Sequence, residues 1–251
     1  MKKPPADDQY FFAEPSDVNA PVSLILREDE AYHCVKVLRK KVGDRFYVVN
    51  GEGLELLVEL VRFQKDFVEC SILETRKRPR ELPYRITLAQ SLIKKDHFDL
   101  VAEKCTELGI GALIPVETSR SQVEPGKNKI DRWRKIMLTA MKQSRRSLLP
   151  TLEEITSFQT LVEKSNNYDL KILFHEKSER PFGDFMKMLS ERPAEMLILI
   201  GPEGGFTDSE VTMAVEHGFL SLSLGQRRLR AETAAICAVS LFSTLYTPQN
   251  S

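Results

Sequence analysis

The chain has 251 residues, of which 42% are hydrophobic, and its 36 basic side chains balance its 36 acidic ones. The length allows one large domain or two smaller ones, and the zero net charge excludes a global field that attracts nucleic acid. No apolar run approaches the length of a membrane span, and the four cysteines and four histidines lack the paired spacing of a metal site. We therefore expect a cytoplasmic protein with reduced thiols, no bound metal and no membrane partner.

The N-terminal part of the sequence predicts a small β-rich domain. Residues 45–50, 54–63 and 67–73 have the alternating or β-branched composition of strands, and short turn segments separate them. A charged run with two prolines follows at 76–83 and interrupts the pattern. The sequence therefore predicts a β-rich domain over residues 1–75, followed by a linker.

The sequence after this linker alternates between strand and helix signals. Such alternation is typical of an α/β domain with a mainly parallel sheet. We therefore predict an α/β domain over residues 84–251. Its first predicted elements are strands at 86–89, 112–116 and 170–174 and helices at 96–108 and 132–143.

A glycine-rich junction joins a predicted strand to a predicted helix near residue 200. The apolar run 196–200 suits a buried strand, and Gly201-Pro-Glu-Gly-Gly-Phe206 follows it. Thr207 and Glu210 then have the spacing of a capping box, which begins a helix. Gly218 is a suitable residue to end that helix.

A second junction repeats this plan about two dozen residues later. Leucines alternate with serines at 220–224, Gly225 breaks the strand, and apolar residues recur at helical spacing from Ala231 to Tyr246. Loops that leave the carboxyl ends of adjacent parallel strands face a common crevice, where ligands bind. The two junctions therefore predict a single pocket.

The glycine pattern limits the classes of ligand that this pocket could bind. The spaced glycines of a dinucleotide site and the Lys-Ser/Thr ending of a phosphate loop are both absent, so a pyrophosphate ligand is not indicated. A nucleoside without phosphates remains possible. The alternative is that each loop is only a tight turn, and the occurrence of two such loops favours the pocket.

Basic residues concentrate between Arg120 and Pro150, where nine of them stand against only two acidic residues. Brought together in the fold, they would form a surface that contacts RNA phosphates, whereas a set of solvated helix faces is the alternative. The shortage of acidic residues in the segment favours RNA contact. The basic residues are Arg120, Lys127, Lys129, Arg132, Arg134, Lys135, Lys142, Arg145 and Arg146, and the acidic ones are Glu124 and Asp131.

The two junctions carry a family resemblance. Leu199 to Thr207 with Glu210, and Leu224-Gly-Gln-Arg-Arg-Leu-Arg-Ala-Glu-Thr-Ala234, resemble the two signature motifs of the RsmE family of bacterial ribosomal RNA methyltransferases. Further matches follow the family's order along nearly the whole chain, although Arg228 and Lys142 depart from its usual residues. These matches are Asp96-His-Phe-Asp99, Glu103 to Gly109, Gln143-Ser-Arg145, and His33 with Val37-Leu-Arg39.

The resemblance implies a fold and an activity. It implies a SPOUT-type methyltransferase domain, α/β in class and threaded into a trefoil knot, after an N-terminal PUA-like β-barrel. It also implies methylation of uridine N3 in 16S ribosomal RNA with S-adenosylmethionine as cofactor, on the small subunit, by a homodimer. Two alternatives stay open: a ribose 2′-O-methyltransferase on the same scaffold, and a non-catalytic RNA-binding factor in ribosome assembly.

The resemblance also implies roles for individual residues. Uracil N3 is an imide nitrogen that must lose its proton, so the site needs a base or a cation that stabilises the developing anion. Arg230 suits the cation, and Glu232 would orient Arg230 or serve as the base; an ordinary ion pair at the helix start is the alternative. The cofactor would lie against His175, Ile200, Gly201, Pro202, Glu203, Gly205, Leu224, Gly225 and Leu229, and the RNA against His33, Arg39, Gln143 and Arg145.

Overall fold

The computed structural model describes residues 10–64, 66–121, 129–189 and 191–244. The chain divides into two compact units, which are described separately. Unit 1 extends to Glu81 and includes Leu138–Leu149, whereas unit 2 consists of Leu82–Met137 and everything from Pro150 onwards. The proposed domains at 1–75 and 84–251 thus cover most of each unit but do not anticipate that Leu138–Leu149 belongs to unit 1.

Unit 1 is built on a six-stranded sheet. The strand order is β1-β4-β5-β6-β3-β2, and every pair is antiparallel except β1 with β4. The three predicted strands are confirmed, and the third runs on to Lys77 because it stays paired with its neighbour to the end. The elements are β1 (Tyr10–Phe12), β2 (Val18–Asn19), β3 (Ser23–Arg27), α1 (Glu28–Tyr32), β4 (Arg45–Val49), β5 (Leu54–Phe63) and β6 (Phe67–Lys77), with a π-helical segment at His33–Val37.

Alternating side chains form the core of unit 1. Leu56, Val58 and Leu60 point to the same face of β5 and are buried together with Phe11 and Phe46. Successive side chains of a strand point to opposite faces, so this alternation fixes which face of the sheet is covered.

Unit 2 has an all-parallel sheet with helices around it. The strand order is β10-β8-β7-β12-β11-β13, and β9 pairs with β8. This confirms the predicted α/β class. The strands are β7 (Arg85–Ser91), β8 (Ala112–Glu117), β9 (Thr151–Leu152), β10 (Thr156–Ser157), β11 (Leu170–Phe174), β12 (Glu195–Ile200) and β13 (Leu220–Leu222), and the helices are α2 (Lys95–Glu107), α3 (Lys129–Gln143), α4 (Phe158–Glu163), α5 (Phe182–Met188), α6 (Asp208–Glu216) and α7 (Ala231–Ser243).

The predicted helices of unit 2 are present. Thr207 and Glu210 form the predicted capping box at the start of α6, and Gly218 lies just past the helix end with a φ of 83°. Helix α7 begins at Ala231 as predicted, and the predicted end at Tyr246 lies outside the described residues. Helix α3 spans the division between the units, which falls after Met137. No helix among the described residues is long and apolar enough to cross a membrane.

The register of the parallel sheet aligns three strand ends. Phe174 at the end of β11 is paired with Ile200 at the end of β12 and with Leu222 at the end of β13. The loops that follow these strands therefore leave the sheet at one edge, which is where ligands bind in α/β folds. Helix α7 packs against β12, β7 and α2, and its Ala235, Val239 and Phe242 are fully buried. The apolar stripe of α7 is thus largely covered within the chain.

Candidate active site

A cavity of about 360 Å³ lies at the carboxyl ends of β11, β12 and β13. Pockets for small molecules generally fall between roughly 300 and 1,000 Å³. The loops after β11, β12 and β13 and the first turns of α2 and α7 line the cavity. Its polar and charged side chains are those of Lys94, His97, His175, Glu176, Glu203, Ser223, Arg227, Arg228, Arg230 and Glu232.

The loop after β12 is held in place from outside the cavity. Arg120 donates hydrogen bonds to the carbonyl oxygens of Gly204, at 2.7 Å, and Phe206, at 3.3 Å. At Gly201 a Cβ would lie 3.1 Å from the Phe206 ring, so a larger residue there would displace the ring. Glu210, besides closing the capping box, accepts a hydrogen bond from the backbone N–H of Ser119. The loop is therefore tied to the segment that follows β8.

The loop after β13 has a conformation that requires glycine. Gly225 has a φ of 114°, and its N–H donates to the hydroxyl of Ser223 at 3.1 Å. Further along this loop the guanidinium of Arg228 lies 3.3 Å from the carboxylate of Glu176, which belongs to the loop after β11. The unusual arginine at 228 therefore has an acidic partner across the cavity.

His175 is the first residue after β11. Its backbone N–H donates to the carbonyl of Leu222 at 2.9 Å, which fixes this position against β13. Burial lowers the pKa of the imidazole below its ordinary value, and the nearby Lys177 acts in the same direction. The side chain is therefore mainly neutral at pH 7, and it adds no positive charge to the cavity.

Arg230 and Glu232 have different surroundings. Arg230 is the N-cap residue of α7, its side chain is exposed, and it forms no ion pair with any described residue. Glu232 is buried in the first turn of α7, and its Oε2 lies 3.4 Å from Nδ1 of His97. Within the described residues no hydrogen bond or ion pair joins Arg230 to Glu232. The orientation of Arg230 by Glu232 therefore stays a prediction.

Every residue predicted for the cofactor or for catalysis lines this single cavity. The sequence did not assign a role to Lys94 or His97, although His97 lies in one of the quoted motifs, because nothing local relates the start of α2 to the start of α7. The predicted residues that line the cavity are His175, Ile200, Gly201, Pro202, Glu203, Gly205, Leu224, Gly225, Leu229, Arg230 and Glu232.

The cavity suits a nucleoside without phosphates. Gly205 and Gly225 border it, and a Cβ added at either position would meet no other atom within 4 Å, so the glycines leave open space for a ligand close to the backbone. Apolar side chains of Phe174, Ile200 and Leu224 supply surface for a base. The described residues hold no cluster of three or more potential metal ligands.

Comparisons with known proteins identify the family. The model of an RNA methyltransferase domain matches residues 80–243, and the model of an RNA methyltransferase PUA domain matches residues 26–73. The ribosomal RNA small subunit methyltransferase E of Bacillus subtilis is 35% identical over 245 residues, which cover 94% of this chain and 96% of the relative. The chain belongs to the ribosomal RNA small subunit methyltransferase E family. The Synechocystis member is likewise 35% identical, over 89% of this chain and 73% of its own.

Solved structures agree with this family. A methyltransferase E from Neisseria gonorrhoeae bound to S-adenosyl methionine has a TM-score of 0.85 at 28% identity and covers 95% of this chain and 98% of its own. A Legionella pneumophila structure with bound SAM has a TM-score of 0.83 at 31% identity, over 94% and 97% of the two chains. These likenesses confirm the predicted fold class, a SPOUT-type α/β methyltransferase domain with an N-terminal PUA-like β-domain. The trefoil knot stays a prediction.

The four residues predicted to bind RNA lie in unit 1 of this chain, and all four are exposed. The His33 ring packs 5.9 Å from the ring of Phe11, so this histidine is both exposed and packed. Arg39 and Arg145 have left-handed backbone conformations, with φ values of 54° and 58°. The Arg145 carbonyl accepts hydrogen bonds from Arg80, which fixes this turn.

Acidic side chains neutralise more of the positive charge of segment 120–150 than its sequence indicates. Arg146 is buried and forms an ion pair with the buried Glu81 at 2.9 Å. Arg132 pairs with Asp99, and Lys142 pairs with Glu30. The acidic partners come from distant parts of the sequence, so a count within the segment misses them. The net charge of this segment is therefore weak support for RNA contact, and Arg146 is a structural residue.

Proposed function

We propose that this chain transfers a methyl group from S-adenosylmethionine to N3 of a uridine in 16S ribosomal RNA. The observation that carries the proposal is the convergence of all eleven predicted cofactor and catalytic residues on one cavity, in a member of the methyltransferase E family. The Neisseria gonorrhoeae relative, which was solved with S-adenosyl methionine bound, supports the choice of cofactor.

The glycine loops of unit 2 hold the cofactor in this proposal. S-adenosylmethionine supplies a methyl group on a positively charged sulfur, which is already a good leaving group. The loop after β12, from Ile200 to Gly205, and the loop after β13, from Leu224 to Leu229, bring backbone groups close to the ligand. His175 stays neutral against it, because burial and Lys177 both lower the pKa of the imidazole.

Arg230 stabilises the charge that develops on the target base. When uracil N3 loses its proton, negative charge spreads to the two carbonyl oxygens of the ring. A guanidinium is charged at every relevant pH and donates two parallel hydrogen bonds. Arg230 lines the cavity with no acidic partner among the described residues, so its charge is available to the substrate. Such preorganised donors typically supply a factor of roughly 10² to 10³ in rate.

Unit 1 supplies RNA contact in this proposal. Its match to the PUA model of RNA methyltransferases supports RNA as the partner. His33, Arg39, Gln143 and Arg145 are exposed and are the proposed contacts. The target base must be unstacked or single-stranded to enter the cavity. The assembled small subunit in the cytoplasm is the proposed setting.

The proposed assembly is a homodimer formed through α7. Much of the apolar stripe of this helix is already buried within the chain, so the stripe alone does not require a partner. Ile236, Cys237 and Leu241 remain half-buried on the helix and are the proposed contacts with a second copy.

The direct test uses small subunits from cells that lack this modification. Purified protein and labelled S-adenosylmethionine should transfer label into 16S RNA, and digestion to nucleosides should yield N3-methyluridine. The Arg230→Ala variant should lose roughly 100-fold or more in kcat, whereas Arg62→Ala, at an exposed arginine of unit 1 paired with Glu69, should match the parent.

Three outcomes would contradict the proposal. Label in a ribose methyl group would favour the 2′-O-methyltransferase alternative. No label, together with no binding of the donor in calorimetry, would remove the enzyme assignment. Full cellular function of Arg230→Ala would favour a non-catalytic assembly factor.

A further inference from the structure

His97 and Glu232 form an isolated pair inside the cavity. His97 lies in the first turn of α2 and Glu232 in the first turn of α7, and these two helices pack together. Nδ1 of His97 is 3.4 Å from Oε2 of Glu232. Both atoms are buried, and neither has a hydrogen-bond partner among the described residues. Each of these two atoms is therefore an available hydrogen-bond partner for the other, and a small movement would form that hydrogen bond.

The two side chains differ in their access to the cavity. The side chain of Glu232 is 9% exposed, whereas that of His97 is 36% exposed although its Nδ1 is buried. Since Nδ1 faces the carboxylate, the exposed part of the ring is the edge that carries Nε2. The imidazole therefore lies between the carboxylate and the space in which a substrate binds.

A carboxylate in this position selects one form of the neutral imidazole. The anionic Oε2 accepts a hydrogen bond from Nδ1–H, which leaves Nε2 without a proton and with a free electron pair. The same arrangement orients the histidine base in catalytic triads. Catalytic hydrogen bonds are often long before substrate binds, so the 3.4 Å separation is in keeping with this role.

We propose that His97 is a catalytic residue that accepts the N3 proton of the target uracil, and that Glu232 is the positioning residue that orients it. The inference rests on the proposed methyl transfer to N3. The N3–H bond breaks as Nε2 of His97 takes the proton. The electron pair left on N3 forms the new bond to the methyl carbon while the carbon–sulfur bond of the donor breaks. The products are N3-methyluridine, a neutral thioether and an imidazolium stabilised by Glu232.

Other charged side chains surround His97 at the cavity. The basic side chains of Lys94 and Arg230 face it from the starts of α2 and α7. Glu203 faces it from the loop after β12 and accepts a hydrogen bond from the backbone N–H of Lys94 at 3.3 Å. In the sequence, Lys95 and Asp96 directly precede His97 in this turn of α2. Among these groups the neutral imidazole is the one that can present an unprotonated ring nitrogen to the cavity, which is what a general base requires.

The first test measures the form of the imidazole without any turnover. In nitrogen-15 NMR of the histidine-labelled protein at pH 8, His97 should show a protonated Nδ1 and an unprotonated Nε2. The His97→Gln variant assigns the signals among the four histidines. Replacing Glu232 by Gln should shift the His97 equilibrium toward the form that is protonated on Nε2. A parent protein with Nδ1 unprotonated would overturn the proposal.

The second test separates kcat from binding. His97→Gln should lower kcat by roughly 100-fold and leave the Kd of the donor within about twofold. His217→Gln is the matched control, because His217 caps α6 and its Nδ1 bonds the carbonyl of Met213. This control should keep the parental kcat.

A lysine at position 97 distinguishes a base from a simple hydrogen-bond donor. Lysine can pair with Glu232 but is protonated at pH 7 and accepts no proton. His97→Lys should therefore stay as slow as His97→Gln, and recovery of the parental kcat would overturn the proposal. If the parent itself neither binds the donor nor methylates RNA, the proposed function fails first, and the NMR result still reports on the pair.

Discussion

Gly225 shows how one backbone conformation shapes the loop after β13. With a φ of 114°, it turns the chain directly after β13 and borders open space in the cavity. Side chains with a Cβ avoid this region of backbone conformation, and residues forced into it cost on the order of 1–3 kcal/mol. A Cβ at this position would also point into space that a ligand close to the backbone would fill.

We expect Gly225→Ala to weaken both folding and donor binding. The unfolding free energy should fall by about 1–3 kcal/mol, and the Kd of S-adenosylmethionine should rise. Denaturant unfolding and calorimetry measure the two effects. Gly183→Ala is the control, because Gly183 lies in helix α5 with nothing within 4 Å of an added Cβ, and alanine is favourable there. Equal stability and donor affinity in Gly225→Ala and the parent would show that the loop tolerates another conformation.

At the scale of single residues, the sequence grouped the residues that line the cavity well but predicted charge pairs poorly. The glycines and Arg230 belong to contiguous motifs, so their order along the chain was enough to group them. The pair of His97 with Glu232 joins two helices, and the pair of Arg146 with Glu81 joins residues far apart in sequence. Such pairs depend on the three-dimensional path of the chain, which no local pattern contains.

At the scale of elements, the loop after β12 depends on a residue outside its own motif. Arg120 follows β8 and bonds the carbonyl oxygens of Gly204 and Phe206. The sequence placed this arginine in a basic cluster for RNA. In the structure it restrains the loop after β12, which lines the cavity.

We expect Arg120→Ala to raise the Kd of S-adenosylmethionine by about tenfold. Hydrogen bonds from a charged donor are worth roughly 1.5–3 kcal/mol, and part of that restraint is lost from the loop. Isothermal titration calorimetry measures the change, and a thermal melt shows that the fold persists. Arg27→Ala, which removes an exposed arginine paired with Asp17 in unit 1, is the charge-matched control. Unchanged donor affinity in Arg120→Ala would mean that the loop holds its shape without this restraint.

The helices and strands with strong local sequence signals were predicted, whereas those with weak signals were missed. Buried strands of the parallel sheet, such as β12, have continuous apolar runs in the sequence, and the capping box predicted the start of α6. The two-residue strands β2, β9 and β10 and the short helices α4 and α5 were missed. Segments of this length carry less than two turns of helix or a single strand pair, so tertiary contacts rather than periodicity determine them.

At the scale of the whole molecule, the proposed homodimer has a specific test on α7. Ile236→Asp places a charge on a half-buried position of this helix, and a charge in an apolar interface is costly. We expect the parent to have twice the 28.7 kDa mass of one chain in light scattering, and the variant to have the mass of one chain. Val215→Asp, at an exposed position of α6, should remain dimeric. Circular dichroism verifies that both variants fold, and a monomeric parent would contradict the dimer.

The discontinuous make-up of unit 1 affects how the chain folds as it is synthesised. The N–H of Gly53 bonds the carbonyl of Ser147, the N–H of Leu149 bonds the carbonyl of Gly51, and Arg146 neutralises Glu81. Domains generally fold in order from the N-terminus as they leave the ribosome. Here the N-terminal unit lacks its last segment until residue 149 has emerged, by which time more than half of the 251 residues have been made. Unit 1 therefore cannot form these contacts until its second segment, Leu138–Leu149, has been synthesised.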